Sequence, residues 1–427
     1  FIATFSFSDT FHIATTGSDE TGDGSQLNPF ATIQHGIDAA SDGDLVLVQA
    51  GTYVENINYN GKNIVVQGEN RETTIIDGGS GNTLPAVKFW EYDYAPSTQI
   101  SGFKIQNYGN DGISILNGGS PRISNCIIYG VHGTDNAGGI YIAGDGIGSS
   151  VVVERCLIYG NQTTTSEGGG IRIASNNGSA SAQIINCTIT QNSPEGIRVH
   201  GSNTIVDVVN TIIYDNPTSI TNLGTINITH SNIQGSYEGT GNIDANPLFC
   251  DSENGDYTLA ANSLCVGAGE NGANMGAFGV GCDAFDISLT ITEIMQNPSA
   301  VSDSDGEWFE IFNSGEIELD LNGWTIKDAG SDNHTISSSL IINPGEYKVL
   351  GINSNTGTNG GVNIDYQYDG SPNGITLSNG ADEIILVDLY GLVSDSVDYD
   401  GGTTFPDPTG ASMALVHPDS NNNVGTN

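Results

Sequence analysis

Basic side chains are scarce in this 427-residue sequence: ten Lys and Arg stand against fifty Asp and Glu, a formal net charge of −40. A chain so acidic repels phosphate backbones and anionic bilayers, so no nucleic-acid partner and no membrane-surface binding are expected. Divalent cations, cationic partners or a saline medium fit it better. The imbalance is even, because residues 1–283 hold 8 basic and 28 acidic side chains and the remainder 2 and 22, leaving each part at −20. Long apolar runs are missing too. None approaches the ~18 residues of a spanning helix, so no membrane insertion is expected. Charged residues of both signs reach only 14%, against a usual ~25%. The chain begins at Phe1 rather than Met, which reads as a mature or partial product already relieved of an export signal.

Glycine fills part of that space with 58 residues, and Asn, Ser and Thr fill more. The mixture suits short strands joined by tight turns and gives long helices little support. Internal repeats then set the architecture. Gly112-Ile113-Ser114-Ile115 recurs as Gly139-Ile140-Tyr141-Ile142, Gly170-Ile171-Arg172-Ile173 and Gly196-Ile197-Arg198-Val199. A second repeated strand runs over 123–128, 153–158, 184–189 and 208–213, with 101–105 as its start; spacings lie between 23 and 31 residues. Apolar and polar residues alternate within each strand, as in a sheet with one buried face. Repeats that cannot bury that face alone make a β-solenoid. Alignment predicts two inward columns: Phe103, Cys126, Cys156, Cys187 and Thr211; and Ile105, Ile128, Ile158, Ile189 and Ile213. With coils ~4.8 Å apart, about ten of them predict a rod of ~50 Å. A β-propeller also repeats at such periods, but hairpin signals at that rhythm are missing.

A solenoid must cover its ends. Residues 28–40 read as an N-terminal lid helix, with Asn28 as N-cap, Pro29 at the first helical position, and Phe30, Ile33 and Ile37 on one face. Before it, Phe1, Ala3, Phe5 and Phe7 alternate like a strand, either the first edge strand of the lid or one that pairs with a neighbouring molecule.

Three stretches of residues 15–53 carry a resemblance: Gly17-Ser18-Asp19, Asn28 to Gln34, and Ala50-Gly51-Thr52-Tyr53. They resemble the opening of secreted bacterial right-handed parallel β-helix proteins of the pectate-lyase-like superfamily. Ser231 to Gly235, Gly241 to Asp244, Pro247-Leu248-Phe249, Gly255-Asp256-Tyr257 and Met275 to Phe278 are similar to the final coils known as a choice-of-anchor domain. From about Ile287 the rhythm changes. Ile291 to Ile294, Asn297-Pro298, Asp305 to Asn313, Leu321 to Trp324, Asn343 to Tyr347 and Ser412 to Leu415 resemble the lamin-tail domain, an immunoglobulin-like β-sandwich. The expected fold is therefore all-β: a strand and capping helix over 1–40, a right-handed parallel β-helix over 41–283 and an immunoglobulin-like sandwich over 284–427. The resemblance implies export by a bacterium, an extracellular or cell-surface location, and a sorting module beyond Asn421-Asn422-Asn423. Trp308 and Trp324 read as sandwich core, with a ligand platform as the alternative.

Six cysteines divide into two classes. Cys126, Cys156 and Cys187 stack too closely and in too parallel a way for comfortable disulfides, so a reduced ladder is expected. Cys265 matches a buried position of the resembled family, which leaves Cys250 to pair with Cys282, in keeping with an oxidising compartment.

Enzymes on this scaffold usually act on acidic polysaccharides, and a lyase among them needs a Lys or Arg base beside Ca²⁺-binding carboxylates. The best constellation is Arg172 and Arg198 in equivalent outward positions, with Glu167 and Glu195 just before them, His200 after and Tyr141 one coil earlier. The alternative is an exposed ladder of Arg–Glu pairs. The paired aspartates, Gly-His-Gly and Arg-Ile-Lys of polygalacturonases are missing; His132-Gly133 and His200-Gly201 are fragments of the motif at best. Closely spaced oxygens make Asp19 and Asp23, and Asp303, Asp305 and Glu307, candidates for calcium, although neither run completes an EF-hand loop. Asn161-Gln162-Thr163 and Asn227-Ile228-Thr229 fit glycosylation sequons. The leading expectation is a non-catalytic extracellular structural or adhesive protein, with itself (as a homopolymer of fibre subunits) or a cell-surface polysaccharide as partner. The alternatives are a lyase or glycan hydrolase acting on acidic polysaccharide, and a glycan-binding module.

Overall fold

The computed structural model describes residues 9–79, 84–90, 94–106, 109–130, 132–133, 138–146, 148–163, 168–175, 177–370, 374–389, 391–403, 405–406, 409–418 and 422. The strand expected over Phe1–Phe7 and the candidate Glu167 lie outside them. The chain divides into Phe1–Ala284 and Phe285–Asn427. Among the described residues no helix is long and apolar enough to cross a membrane, which says nothing of β-barrels.

Parallel strands stack coil on coil along three faces of the first unit. On the first face, Ile57, Val87, Ile113, Ile140, Ile171, Ile197 and Ile220 are neighbours in register. On the second, Val46, Val66, Ile100, Ile123, Val153, Ile184, Val208 and Ile228 stack the same way. The third carries Ile105, Ile128, Ile158, Ile189 and Ile213, all fully buried as the alternation requires. Each inward side chain meets a near copy of itself ~4.8 Å away, so one packing solution serves every coil.

Residues 123–128 and their repeats, read from sequence as single strands, turn a corner midway. Asn125, Arg155, Asn186, Asn210 and His230 all have φ near +50°, the left-handed conformation that Asn tolerates best among residues with a side chain. The next residue, Cys126, Cys156, Cys187 or Thr211, then points into the core, fully buried. The three cysteines are free thiols that donate to backbone carbonyls, Cys156 to Glu154 at 3.3 Å and Cys187 to Ile185 at 3.4 Å.

The lid helix spans Ile33–Ala39, and its N-cap is Thr32 rather than Asn28. Residues before Thr32 are committed elsewhere: Phe30 bridges Ile13 in extended conformation, and its N–H donates to the His12 carbonyl. Two carboxylates complete the cap. Asp19 accepts from the N–H groups of Ala31 and Thr32, and Glu55 from those of Ile33 and Gln34. Phe30, Ile33 and Ile37 are buried against the first coils.

At the far end the stack is shorter than expected. The second face holds nine strand levels, from Thr10–Ile13 to the end of Thr218–Thr229, or ~38 Å at ~4.8 Å per step. The remaining chain folds back as a strap over the outside of the third face. Its strands Phe249–Asp251, Asp256–Ala260 and Val280–Cys282 form a small separate sheet. Tyr257 packs on Ile127 and Leu157, and Leu259 and Met275 pack on Ile212. Ala277 N donates to Thr188 Oγ1 (3.0 Å), and Asn186 Nδ2 to the Asn274 carbonyl (3.1 Å). Cys250 and Cys282 are joined, closing the strap on itself, with Cα atoms 5.9 Å apart.

The second unit is a sandwich of mainly antiparallel strands. One sheet carries Leu289–Met295, Trp308–Asn313 and Tyr347–Gly351; the other carries Thr325–Lys327, Ala381–Val387 and Val393–Asp400. Strict alternation along Trp308–Asn313 buries Phe309 and Ile311, which join Trp324, Ile326, Leu350, Tyr368, Ile384 and Leu386 in the core. Trp324 is thus core, and Trp308 is half-buried at a strand start.

Candidate functional site

The first face of the solenoid has one outward column that gathers cations. Lys88, Ser114, Tyr141, Arg172, Arg198 and Thr221 are successive neighbours in register, and Lys88 to Arg198 is four steps, ~19 Å. Three of the ten basic residues therefore share one line. Lys88 escaped the sequence reading, although Ala86-Val87-Lys88-Phe89 is an earlier copy of the Gly-Ile-x-aliphatic repeat with Ala for Gly. Its ammonium lies 5.3 Å from the Trp90 ring, and burial lowers its pKa.

The arginines face inward contacts more than solvent. Arg172 is only 8% exposed, and its guanidinium lies 5.3 Å from the Tyr141 ring centre, a cation–π arrangement. Arg198 Nη1 meets Glu195 Oε1 at 2.7 Å. The other Glu195 oxygen accepts from Gly168 N at 2.9 Å, and Thr221 Oγ1 donates to Oε1 at 3.3 Å. Gly168 sits over the pair, and a Cβ there would meet the Cβ atoms of both arginines at 3.2 Å. His200 is half-buried, and its Nδ1 has no hydrogen-bond partner among the described residues. The column thus holds Arg172 and Arg198, with Glu195 paired to Arg198, as a packed seam, and His200 stands in the next outward row, in register with Ala174 and Leu223. A base for uronate chemistry must reach a substrate proton, and here the guanidinium charges are spent on a neighbouring ring and a buried carboxylate.

The calcium candidates also have structural employment. Asp19 caps the lid, taking Thr32 Oγ1 on Oδ2 at 2.7 Å as well, and Asp23 Oδ1 accepts from Ser25 N at 2.9 Å. Asp303 takes Asn379 Nδ2 (2.9 Å), Asp305 takes Ser302 Oγ (2.8 Å), and Glu307 turns into the sandwich to accept from Leu377 N at 3.0 Å. Burial, reinforced by Asp303, Asp382 and Asp332, raises the Glu307 pKa to about 7. Among the described residues, a group of three carboxylates close enough to share a cation occurs elsewhere, at Asp328, Asp382 and Glu383. Sequence reading missed it because Asp328 directly follows the strand Thr325–Lys327, whereas Asp382 and Glu383 lie on Ala381–Val387, which pairs with it antiparallel. All three already accept backbone N–H groups, from Asp332, Ser378 and Ala329 respectively.

The two sequons differ. Asn161 is fully buried in an internal ladder: Asn161 Nδ2 donates to Asn192 Oδ1 (2.9 Å) and Asn192 Nδ2 to Asn216 Oδ1 (3.2 Å). Asn227 is exposed and donates to Asp207 Oδ1.

Sequence comparison agrees with this architecture. The right-handed β-helix region matches residues 45–217 and 86–263, together just over half of the chain. The chain belongs to the right-handed β-helix family. Its second unit matches the lamin tail domain over 287–401. No curated protein matches the β-helix–lamin-tail chain significantly. Among solved structures, pectate lyase Pel9A is similar at 16% identity, covering 65% of this chain and 98% of its own, with a TM-score of 0.33. A pectin methylesterase from carrot is similar at 17%, covering 56% and 84%, TM-score 0.32. XylC in complex with xylose is similar at 12%, covering 52% of this chain, TM-score 0.34; this chain spans 65% of XylC.

Proposed function

We propose that this β-helix protein is a non-catalytic extracellular scaffold, whose stiff, acidic β-helix serves a structural or adhesive role at a cell surface. The observation that carries this reading is the state of the Arg172/Arg198 column. Arg172 is buried and stacked on Tyr141, and Arg198 is half-buried and paired with Glu195. The periodic core and the −40 charge suit a soluble spacer that repels its own kind except at dedicated contacts.

The test is to incubate the 427-residue chain with a panel of acidic and methyl-esterified polysaccharides, following unsaturated-uronate absorbance, reducing ends and released methanol. No turnover is expected on any of them. Turnover that Arg198→Lys abolishes without changing thermal unfolding would overturn the proposal and restore the enzyme reading.

A further inference from the structure

The two ends of the solenoid are finished differently. At the N-terminal end, the first strand, Thr10–Ile13, has its outer edge occupied. His12 N donates to the Gly24 carbonyl (2.8 Å), Phe30 N to the His12 carbonyl (3.0 Å) and Ala14 N to the Phe30 carbonyl (3.0 Å), and the lid helix covers the core. At the other end, the strand Thr218–Thr229 pairs with Glu195–Val209 on one edge. Among the described residues its outer side is met at the ends: Ser219 Oγ donates to the Gln234 carbonyl (2.7 Å), Asn242 Nδ2 to the Ile228 carbonyl (3.0 Å), and His230 N to the Thr240 carbonyl (2.8 Å).

Residues 218–227, TSITNLGTIN, therefore leave a strand edge with no backbone partner among the described residues. They contain no Lys, Arg, Asp, Glu or Pro, so none of the usual devices that blunt an edge is present. Inward-pointing Ile220 and Ile226 are half-buried, whereas their register partners Ile197 and Val206 are fully buried. Leu223 is 57% exposed. Tyr237, just after the last coil, packs against the same core, but among the described residues no further strand pairs with 218–227.

The chain carries a segment suited to that gap. Residues 1–8, FIATFSFS, are uncharged and alternate Phe1, Ala3, Phe5 and Phe7 against Ile2, Thr4 and Ser6, the period of a strand with one apolar face. Asp9, which follows them, is fixed at the first coil, where Leu45 N donates to its carbonyl. Eight residues reach at most ~29 Å, whereas eight coil steps of ~4.8 Å place the open edge ~38 Å away. Residues 1–8 cannot reach the edge of their own molecule.

We propose that residues 1–8 of one copy add as a strand to the 218–227 edge of a second copy, so that copies join head to tail. Main-chain hydrogen bonds supply the attachment, and the Phe face covers Ile220 and Ile226. Such a contact uses two different surfaces on each chain and propagates into filaments or closes into rings. Both segments are uncharged in sequence within a strongly acidic protein, which favours association of this pair. The inference goes beyond the scaffold reading and is independent of whether the column is catalytic.

The test uses the 427-residue chain in sedimentation velocity over a wide concentration range, with oxidative cross-linking of single-cysteine variants. Oligomers that grow with concentration are expected for the wild type, and their loss in Phe5→Asp/Phe7→Asp and in Leu223→Lys/Thr225→Lys, each with unchanged thermal unfolding. Mixing Thr4→Cys chains with Leu223→Cys chains should yield a cross-linked dimer that neither forms alone, because the native free thiols are buried. Monomers at every concentration would overturn the proposal. So would oligomers that persist after removal of residues 1–8, or a dimer formed by Leu223→Cys alone, which would indicate a tail-to-tail contact.

Discussion

The solenoid and the sandwich satisfy buried polar groups in opposite ways. In the solenoid a polar residue is answered by its own copy in the next coil: the Asn192 amide donates to the carbonyls of Ile158 and Thr190 and to Asn216 Oδ1, and accepts from Asn161 N and Nδ2. In the sandwich the carboxylates Glu307 and Asp395 have bespoke partners. Glu307 answers Leu377 N, and Asp395, with its pKa raised by burial, answers Ile291 N and Asn422. Repetition lets one solution be used many times but spreads a single failure to two neighbours. One-off pairing confines a failure to its site, at the cost of stranding acids in the interior.

The most damaging change should be at the centre of the ladder. Asn192→Ala removes five hydrogen bonds and leaves backbone carbonyls on two coils unanswered, and a loss of about 4 kcal/mol is expected. Hydrogen exchange should show protection falling in both flanking coils while the sandwich is untouched; a loss confined to residues 188–194 would break the comparison. Next comes the strap, the non-repeating part of the first unit. Cys250→Ser/Cys282→Ser opens a loop of 32 residues, worth about 3 kcal/mol. Limited proteolysis should then cut within 247–282 before the coils.

The sandwich sharpens the contrast through pH. Glu307 ordinarily titrates near 4.5 and in the fold at about 7. Between those values the folded state keeps a proton that the unfolded state has released, so stability falls as pH rises from about 4.5 to about 7 and stays lowered above. Glu307→Gln keeps an acceptor for Leu377 N and removes the charge. It should flatten that slope and raise stability at pH 8 by about 2 kcal/mol, read from denaturant midpoints at several pH values. The smallest effect belongs to Asn227, an exposed asparagine with one side-chain bond to the previous coil. Asn227→Ala should stay within about 0.5 kcal/mol, and a larger loss would mean that the terminal coil depends on more than its register.

How much of this was legible in the sequence follows the same division. The columns Phe103–Thr211 and Ile105–Ile213 could be aligned directly because periodicity makes each coil a prediction of the next. The lid face of Phe30, Ile33 and Ile37 was equally plain, but its cap was not. Thr32 becomes N-cap only because Asp19 and Glu55, from other parts of the chain, supply acceptors. The strap was read as further coils, although Ile127-Ile128, Leu157-Ile158 and Ile212-Ile213 carry the signal of a face buried on both sides. The arginine column was found as residues, while its burial was not, since Gly168 and Tyr141 cover it from neighbouring positions. Asp328, Asp382 and Glu383 meet through antiparallel pairing across 54 residues, which no local pattern announces.

The left-handed corner at Asn125, Arg155, Asn186, Asn210 and His230 bears on how such a molecule changes over evolutionary time. Each corner is made by one residue and its immediate neighbours, and it hands the chain to the next strand in the same direction every time. A duplication or deletion spanning one corner to the next therefore adds or removes a whole storey and leaves floors above and below aligned. Length in this rod is quantised, and lineages could tune its reach in steps of one storey while keeping both end fittings.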